Sequence, residues 1–264
     1  MPVRSIVFTA LILLATAGCA FAQDANGTLP DAPKPQNHAG DEVSIANTPK
    51  HILKDQLAIW TSPARLNDSN ALGPVMLVLA TGVAITADHQ VMLEKVPVNT
   101  SLNNHAVTAS NGLTGGFVAA PAILYALGHL RHNNHATETG ILAGEAMVDS
   151  LGVDEVMKLV SQRERPALDG SKGKFFQTSV GLDSSFPSTH SMIAWSSAAV
   201  MASEYDGFMP RIAIYGLATG VSAARVLGRE HFPSDVIAGS AVGWMIGRYV
   251  VRHRRRVELD DDAR

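Results

Sequence analysis

Three observations predict an all-α fold, a compact bundle of about six core helices preceded by a short N-terminal helix. Long apolar runs recur between residues 71 and 251, and period-two alternation is scarce. No Asn-Gly turn joins two alternating runs. Ala, Gly and Ser dominate the apolar runs, which permits close helix–helix approach.

The expected elements follow in order. Residues 51–66 place Ile52, Leu53, Leu57, Ile59 and Trp60 along one short amphipathic helix, ended by Ser62-Pro63. Residues 71–87 form a nearly uncharged apolar run, and 115–130 a second one rich in Ala and Gly. Residues 141–160 read as an amphipathic helix carrying Glu145, Asp149, Asp154 and Glu155. Helices over 191–203, 212–227 and 236–251 complete the set. Between them, 128–140 reads as a solvated polar loop. Its His129, His132 and His135 recur every third residue, a spacing that drifts around a helix and does not make a metal set.

The start of the chain reads as an export signal over 1–22. Arg4 precedes an apolar core at 6–17, and Ala20-Phe21-Ala22 is a small-x-small cleavage site. Thr16-Ala17-Gly18-Cys19 resembles a lipobox with Thr in place of Leu, so anchoring at Cys19 is the alternative. Cys19 is the only cysteine, and the domain is expected to stand without a disulfide. Residues 23–50, with Pro30, Pro33, Pro35 and Pro49, read as a polar linker. The domain is expected over 51–252, with a charged tail at 253–264. A formal charge of −3 argues against a nucleic-acid partner. The expected location is the periplasm, as a soluble domain or one in peripheral contact with a membrane. The alternative is an integral protein, since 236–251 followed by Arg252, Arg254, Arg255 and Arg256 has the look of a span with a positive flank. The charges within 141–160 weigh against that alternative.

Three further stretches carry chemistry. Lys158 and Arg165 lie about two helical turns apart, and Pro166 is expected to stop their helix. Alone, such cations merely complement a helix C-terminus. Ser188-Thr189-His190 opens an apolar helix, whose free N–H groups make an anion site. Ser188 and Thr189 also suit a helix cap, but a cap does not call for His190. In Arg225-x5-His231-x3-Asp235, Pro233 marks a first helical turn, with His231 in the loop before it. Asp235 is then placed to accept a hydrogen bond from one imidazole nitrogen, leaving the other free to attack.

Lys158-x6-Arg165-Pro166, then Pro187-Ser188-x-His190, then Arg225-x5-His231-x3-Asp235 resembles the signature of the type 2 phosphatidic acid phosphatase/vanadium haloperoxidase superfamily. That superfamily includes lipid phosphatases and bacterial class A acid phosphatases. Two positions depart from its pattern: Thr189 stands where Gly is usual, and Ala224 where Ser precedes the arginine. The resemblance implies a phosphatase acting on phosphomonoesters or diphosphates, on a lipid phosphate or a small soluble one. It implies His231 as nucleophile, Asp235 orienting it, and His190 as acid and then base. Lys158, Arg165 and Arg225 would neutralise the phosphoryl oxygens, with Ser188 and Thr189 adding hydrogen bonds. Three protein cations leave little need for a metal ion, and no cofactor is expected. Arg163 and Glu164 are expected at the surface or behind the site, Arg229 and Glu230 at its mouth, and Met192 and Trp195 in the core. The competing functions are a vanadate-dependent haloperoxidase and a non-catalytic phosphate-binding envelope protein.

Overall fold

The computed structural model describes residues 43–65, 71–205 and 207–262. It contains α1 (Thr48–Thr61), α2 (Leu72–Glu94), α3 (Thr100–Leu130), α4 (Asn134–Ser161), α5 (Thr189–Glu204), α6 (Phe208–Leu227) and α7 (Pro233–Asp262). No strand occurs among the described residues, so the fold is all-α: six long helices after a short one. The expected signal at 1–22, with Cys19, and the linker as far as residue 42 lie outside the described residues.

The helices extend well beyond the apolar runs that announced them. α3 starts at Thr100 because the Asn99 side chain accepts from Leu102 N at 3.0 Å. Asn133 accepts from Ala136 N at 3.1 Å and starts α4 directly. The loop expected over 128–140 therefore shrinks to 131–133. Residues 48–50 belong to α1 rather than to a linker, and 253–262 continue α7 rather than forming a tail. α4 ends at Gln162, which takes the left-handed conformation at φ 41°, well before Pro166.

The buried side of α4 carries acids among its apolar residues, and apolar residues also face outward. Glu145, Asp149 and Asp154 are buried, while Val148, Leu151, Val156, Leu159 and Val160 are exposed. Each acid goes inside with a partner, as burial of charge requires. Arg254 of α7 binds Glu145 and also Asp55 of α1 at 2.7 Å. Gln56 Nε2 donates to Asp149 at 2.9 Å, and Lys158 pairs with Asp154 at 3.2 Å.

α5 lies at the centre, packed on α3, α4, α6 and α7. Its Ala194, Ala198 and Met201 join Phe117 of α3 with Ala218 and Val221 of α6. Its Val200 joins Leu142, Ala143 and Ala146 of α4 with Val250 and Val251 of α7. The contact with α7 is unusually close because Gly239, Gly243 and Gly247 recur every fourth residue along it. A β-carbon on Gly239 would fall 2.7 Å from the Ser188 carbonyl, and on Gly243 or Gly247 it would crowd the Met192 or Ser196 carbonyl. This stripe seats the beginning of α5 beside the beginning of α7, where Ser188 N donates to Asp235 O at 3.1 Å.

α2 and α3 are long and apolar enough to cross a membrane by length and composition; α7 does not reach that standard among the described residues. Leu72, Val75, Val78, Leu79 and Val83 of α2 are exposed, as are Val118, Ile123 and Leu127 of α3.

Candidate active site

The three chemical stretches converge where α4 and α6 end and α5 and α7 begin. Lys158 is buried in the last turn of α4, and its Nζ donates to Thr189 Oγ1 at 2.5 Å. Thr189 in turn donates to Asp154 Oδ2 at 2.7 Å, so the threonine standing in place of the usual glycine holds Lys158 to its counter-ion. Arg165 follows on the extended segment after α4. Its Nε and Nη2 donate to Asp183 Oδ1 at 3.1 and 2.9 Å, and its Nη1 to Glu230 Oε2 at 3.2 Å. Arg225, buried in the last turn of α6, donates to Asn111 Oδ1 and Glu230 Oε2, each at 3.3 Å. Ser188 is the N-cap residue of α5 but makes no side-chain capping bond. Its buried Oγ has no hydrogen-bond partner, at a helix N-terminus suited to anions.

His231 is buried, and its Nδ1 lies 2.7 Å from the Ser185 carbonyl. A carbonyl only accepts, so Nδ1 carries the proton and Nε2 keeps its lone pair. Here the structure corrects the expectation for Asp235. Its Oδ2 lies 3.8 Å from Nδ1, too far for a hydrogen bond, and acts on the ring through charge alone. Asp235 instead accepts from Ser185 Oγ, from Phe232 N at 2.8 Å and from Arg163 Nη1 at 2.5 Å. Burial lowers the His231 pKa, with Asp235 opposing that shift, and Arg165 and Arg225 adding to it.

Arg163, expected at the surface or behind the site, is 1% exposed and lies behind it. Its Nη2 donates to Asp88 Oδ2 of α2 at 2.7 Å, and its Nη1 to Ser234 Oγ at 2.7 Å. The Phe175 and Phe232 rings cover its guanidinium at 4.6 and 4.2 Å. Through Arg163 the first motif grips the carboxylate of the third.

His190 donates through Nε2 to Asn111 Oδ1 at 3.0 Å; that atom must be the amide oxygen because Arg225 donates to it as well. Its pKa is pushed down to about 4, first by burial and then by the charges of Arg225, His231, Lys158 and Arg165. All eight residues expected to form the site thus meet in one place. Arg229 does not join them: it binds the Met92 and Val96 carbonyls and Ser171. Glu230 does. Met192 is fully buried and Trp195 packs against the core, as expected. Asp88, Asn111 and Ser185 went unnoticed in the sequence. Asp88 carried a signal, an acid directly after the nearly uncharged run of 71–87. Elsewhere, Asp55, Glu145 and Asp149 gather within 4.8 Å, and Arg254 supplies the cation of that cluster.

Comparison with known families bears on the same residues. Residues 139–258 match the PAP2 superfamily. All three motifs lie inside the matched PAP2 region, in keeping with the resemblance to the type 2 phosphatidic acid phosphatase/haloperoxidase superfamily. PAP2 proteins are generally phosphatase-like hydrolases acting on phosphorylated substrates. No curated protein and no solved structure matches the chain.

Proposed function

We propose that the protein is a metal-independent phosphatase that hydrolyses phosphomonoesters or diphosphates through a phospho-histidine on His231. The observation that carries this reading is the Nδ1–Ser185 carbonyl bond, which presents Nε2 as a lone pair in the field of Arg165 and Arg225. Nε2 attacks phosphorus, the P–O bond to the leaving group breaks, and the departing oxygen takes a proton from His190. Water then attacks phosphorus, His190 removes its proton, and the P–N bond breaks to release phosphate and restore His231. Lys158, Arg165 and Arg225 balance the charge on the equatorial oxygens throughout. Ser188 Oγ, which has no hydrogen-bond partner, donates to one of them. With its pKa pushed down to about 4, His190 is neutral near pH 7; a phosphate dianion beside it offsets the cations that depress its pKa, and so favours the proton it must give.

The exposed apolar sides of α2 and α3 support a lipid phosphate as substrate, because the same helices supply Asp88 and Asn111. They also support attachment to a membrane, in keeping with the membrane association frequent among PAP2 proteins. Periplasmic placement remains part of this proposal.

The test is phosphate release in EDTA by wild type and His231→Ala, with an aryl phosphate and a detergent-dispersed lipid phosphate in parallel. Wild type should release phosphate and form an acid-labile phosphoenzyme, and the variant should do neither while keeping its far-UV spectrum. Turnover at the wild-type rate in His231→Ala would overturn the nucleophile assignment.

A further inference from the structure

Glu230 has no part in the chemistry above, yet its carboxylate stands among the groups assigned to phosphate. One oxygen, Oε2, accepts from Arg165 Nη1 at 3.2 Å and from Arg225 Nη2 at 3.3 Å. The two guanidinium groups come from different motifs, one after α4 and one ending α6. An oxygen shared between two such groups is placed as an equatorial phosphoryl oxygen would be. The other acids nearby differ. Asp183 is 78% exposed and pairs with Arg165, while the cation paired with Asp154 is Lys158.

The surroundings of Glu230 allow its side chain to move while its backbone stays put. Glu230 N donates to the Arg225 carbonyl at 3.1 Å, and the Glu230 carbonyl accepts from Arg165 Nη1 at 3.3 Å. Arg229, just before it, is anchored by three hydrogen bonds. The Glu230 side chain itself is 35% exposed and can swing into water.

We propose that the Glu230 carboxylate stands in a phosphoryl-oxygen position between Arg165 and Arg225 and must leave it when phosphate binds, so that Glu230 sets the affinity of the site for phosphate. This rests on the reading that Arg165 and Arg225 hold the phosphoryl group. A monovalent carboxylate is displaced by a dianion more readily than by another monoanion, so Glu230 also selects doubly charged phosphoryl groups. On the product side, its return helps expel phosphate.

Titration calorimetry with inorganic phosphate tests this on the full chain. Wild type, Glu230→Gln, Glu230→Ala and Arg225→Ala are compared, with phosphate inhibition of turnover as a second readout. Removing one partly screened like charge should tighten phosphate binding in both Glu230 variants by roughly tenfold, about 1.4 kcal/mol. Arg225→Ala should lose binding. Equal or weaker phosphate binding in the Glu230 variants, beside normal wild type and an impaired Arg225→Ala, would overturn the role of Glu230 and leave the phosphate site standing. Absence of phosphate binding by wild type, or indifference to Arg225→Ala, would remove the phosphate site and this inference together. A merely structural Glu230 would loosen binding when replaced; only a competing carboxylate predicts the opposite.

Discussion

Replacing Arg163 with methionine should expose how strongly the site depends on a residue that touches no substrate. Arg163 donates to Asp235 Oδ1 at 2.5 Å, Asp88 Oδ2 at 2.7 Å, Ser234 Oγ at 2.7 Å and the Gly173 carbonyl at 3.2 Å. Methionine fills much of the same space between Phe175 and Phe232 but brings neither charge nor donors. Asp88 and Asp235, at 2% and 0% exposure, would then be left as two buried carboxylates without their cation. Removing one partner of a buried pair costs about 3–5 kcal/mol. In a domain of this size, that lowers Tm by roughly 10 °C. Urea and thermal denaturation followed by far-UV circular dichroism would measure the loss. Arg163→Met combined with Asp88→Asn should recover part of it, with a coupling of about 1–3 kcal/mol, because the neutral amide no longer needs a cation. Turnover should fall even where the fold persists, since Asp235 then loses one of the three groups that hold it beside His231. A loss below about 1 kcal/mol, or simple additivity in the double variant, would refute this account of the network.

Two further expectations concern packing and pH. Gly243→Ala forces a β-carbon against the Met192 backbone and should cost about 1–3 kcal/mol while separating the starts of α5 and α7. An unchanged Tm together with unchanged kcat would show that the glycine stripe does not position the site. Glu145 and Asp149 are both pushed up to about 7, chiefly by burial. Their folded pKa values exceed the ordinary carboxylate range, so their contribution to stability is complete below about pH 4 and is lost as pH rises through 7. His190 and His231 shift the other way and act mainly below their ordinary value of 6.5. Between pH 6.5 and 8, stability should therefore fall by on the order of 1–2 kcal/mol, and Glu145→Gln should flatten the decline. A wild-type Tm that is level or rising across that interval would contradict the burial of these acids.

The amino-acid sequence by itself determined the helical class and offered the residues that meet in the candidate site. Apolar runs of small residues are a local property, and so are the Pro233 start of α7 and the spacing of Lys158, Arg165, Ser188, His190, Arg225, His231 and Asp235. Each can be read without knowing what lies opposite. Helix ends were less legible: the polar first turns of α3 and α4 carry no apolar periodicity, and only the Asn99 and Asn133 caps mark them. Tertiary structure alone decided which groups answer one another. The acceptor that orients His231 is the backbone carbonyl of Ser185, and every residue offers such a carbonyl, so no side chain could reveal it. Arg163 and Asp88 lie 75 positions apart, and their pairing follows from how α2 packs on α7. The acids of α4 looked like a solvated face until Arg254, Gln56 and Lys158 reached them. A charged residue does not reveal in sequence whether water or a partner will satisfy it. That depends on what the fold places within about 3 Å of it.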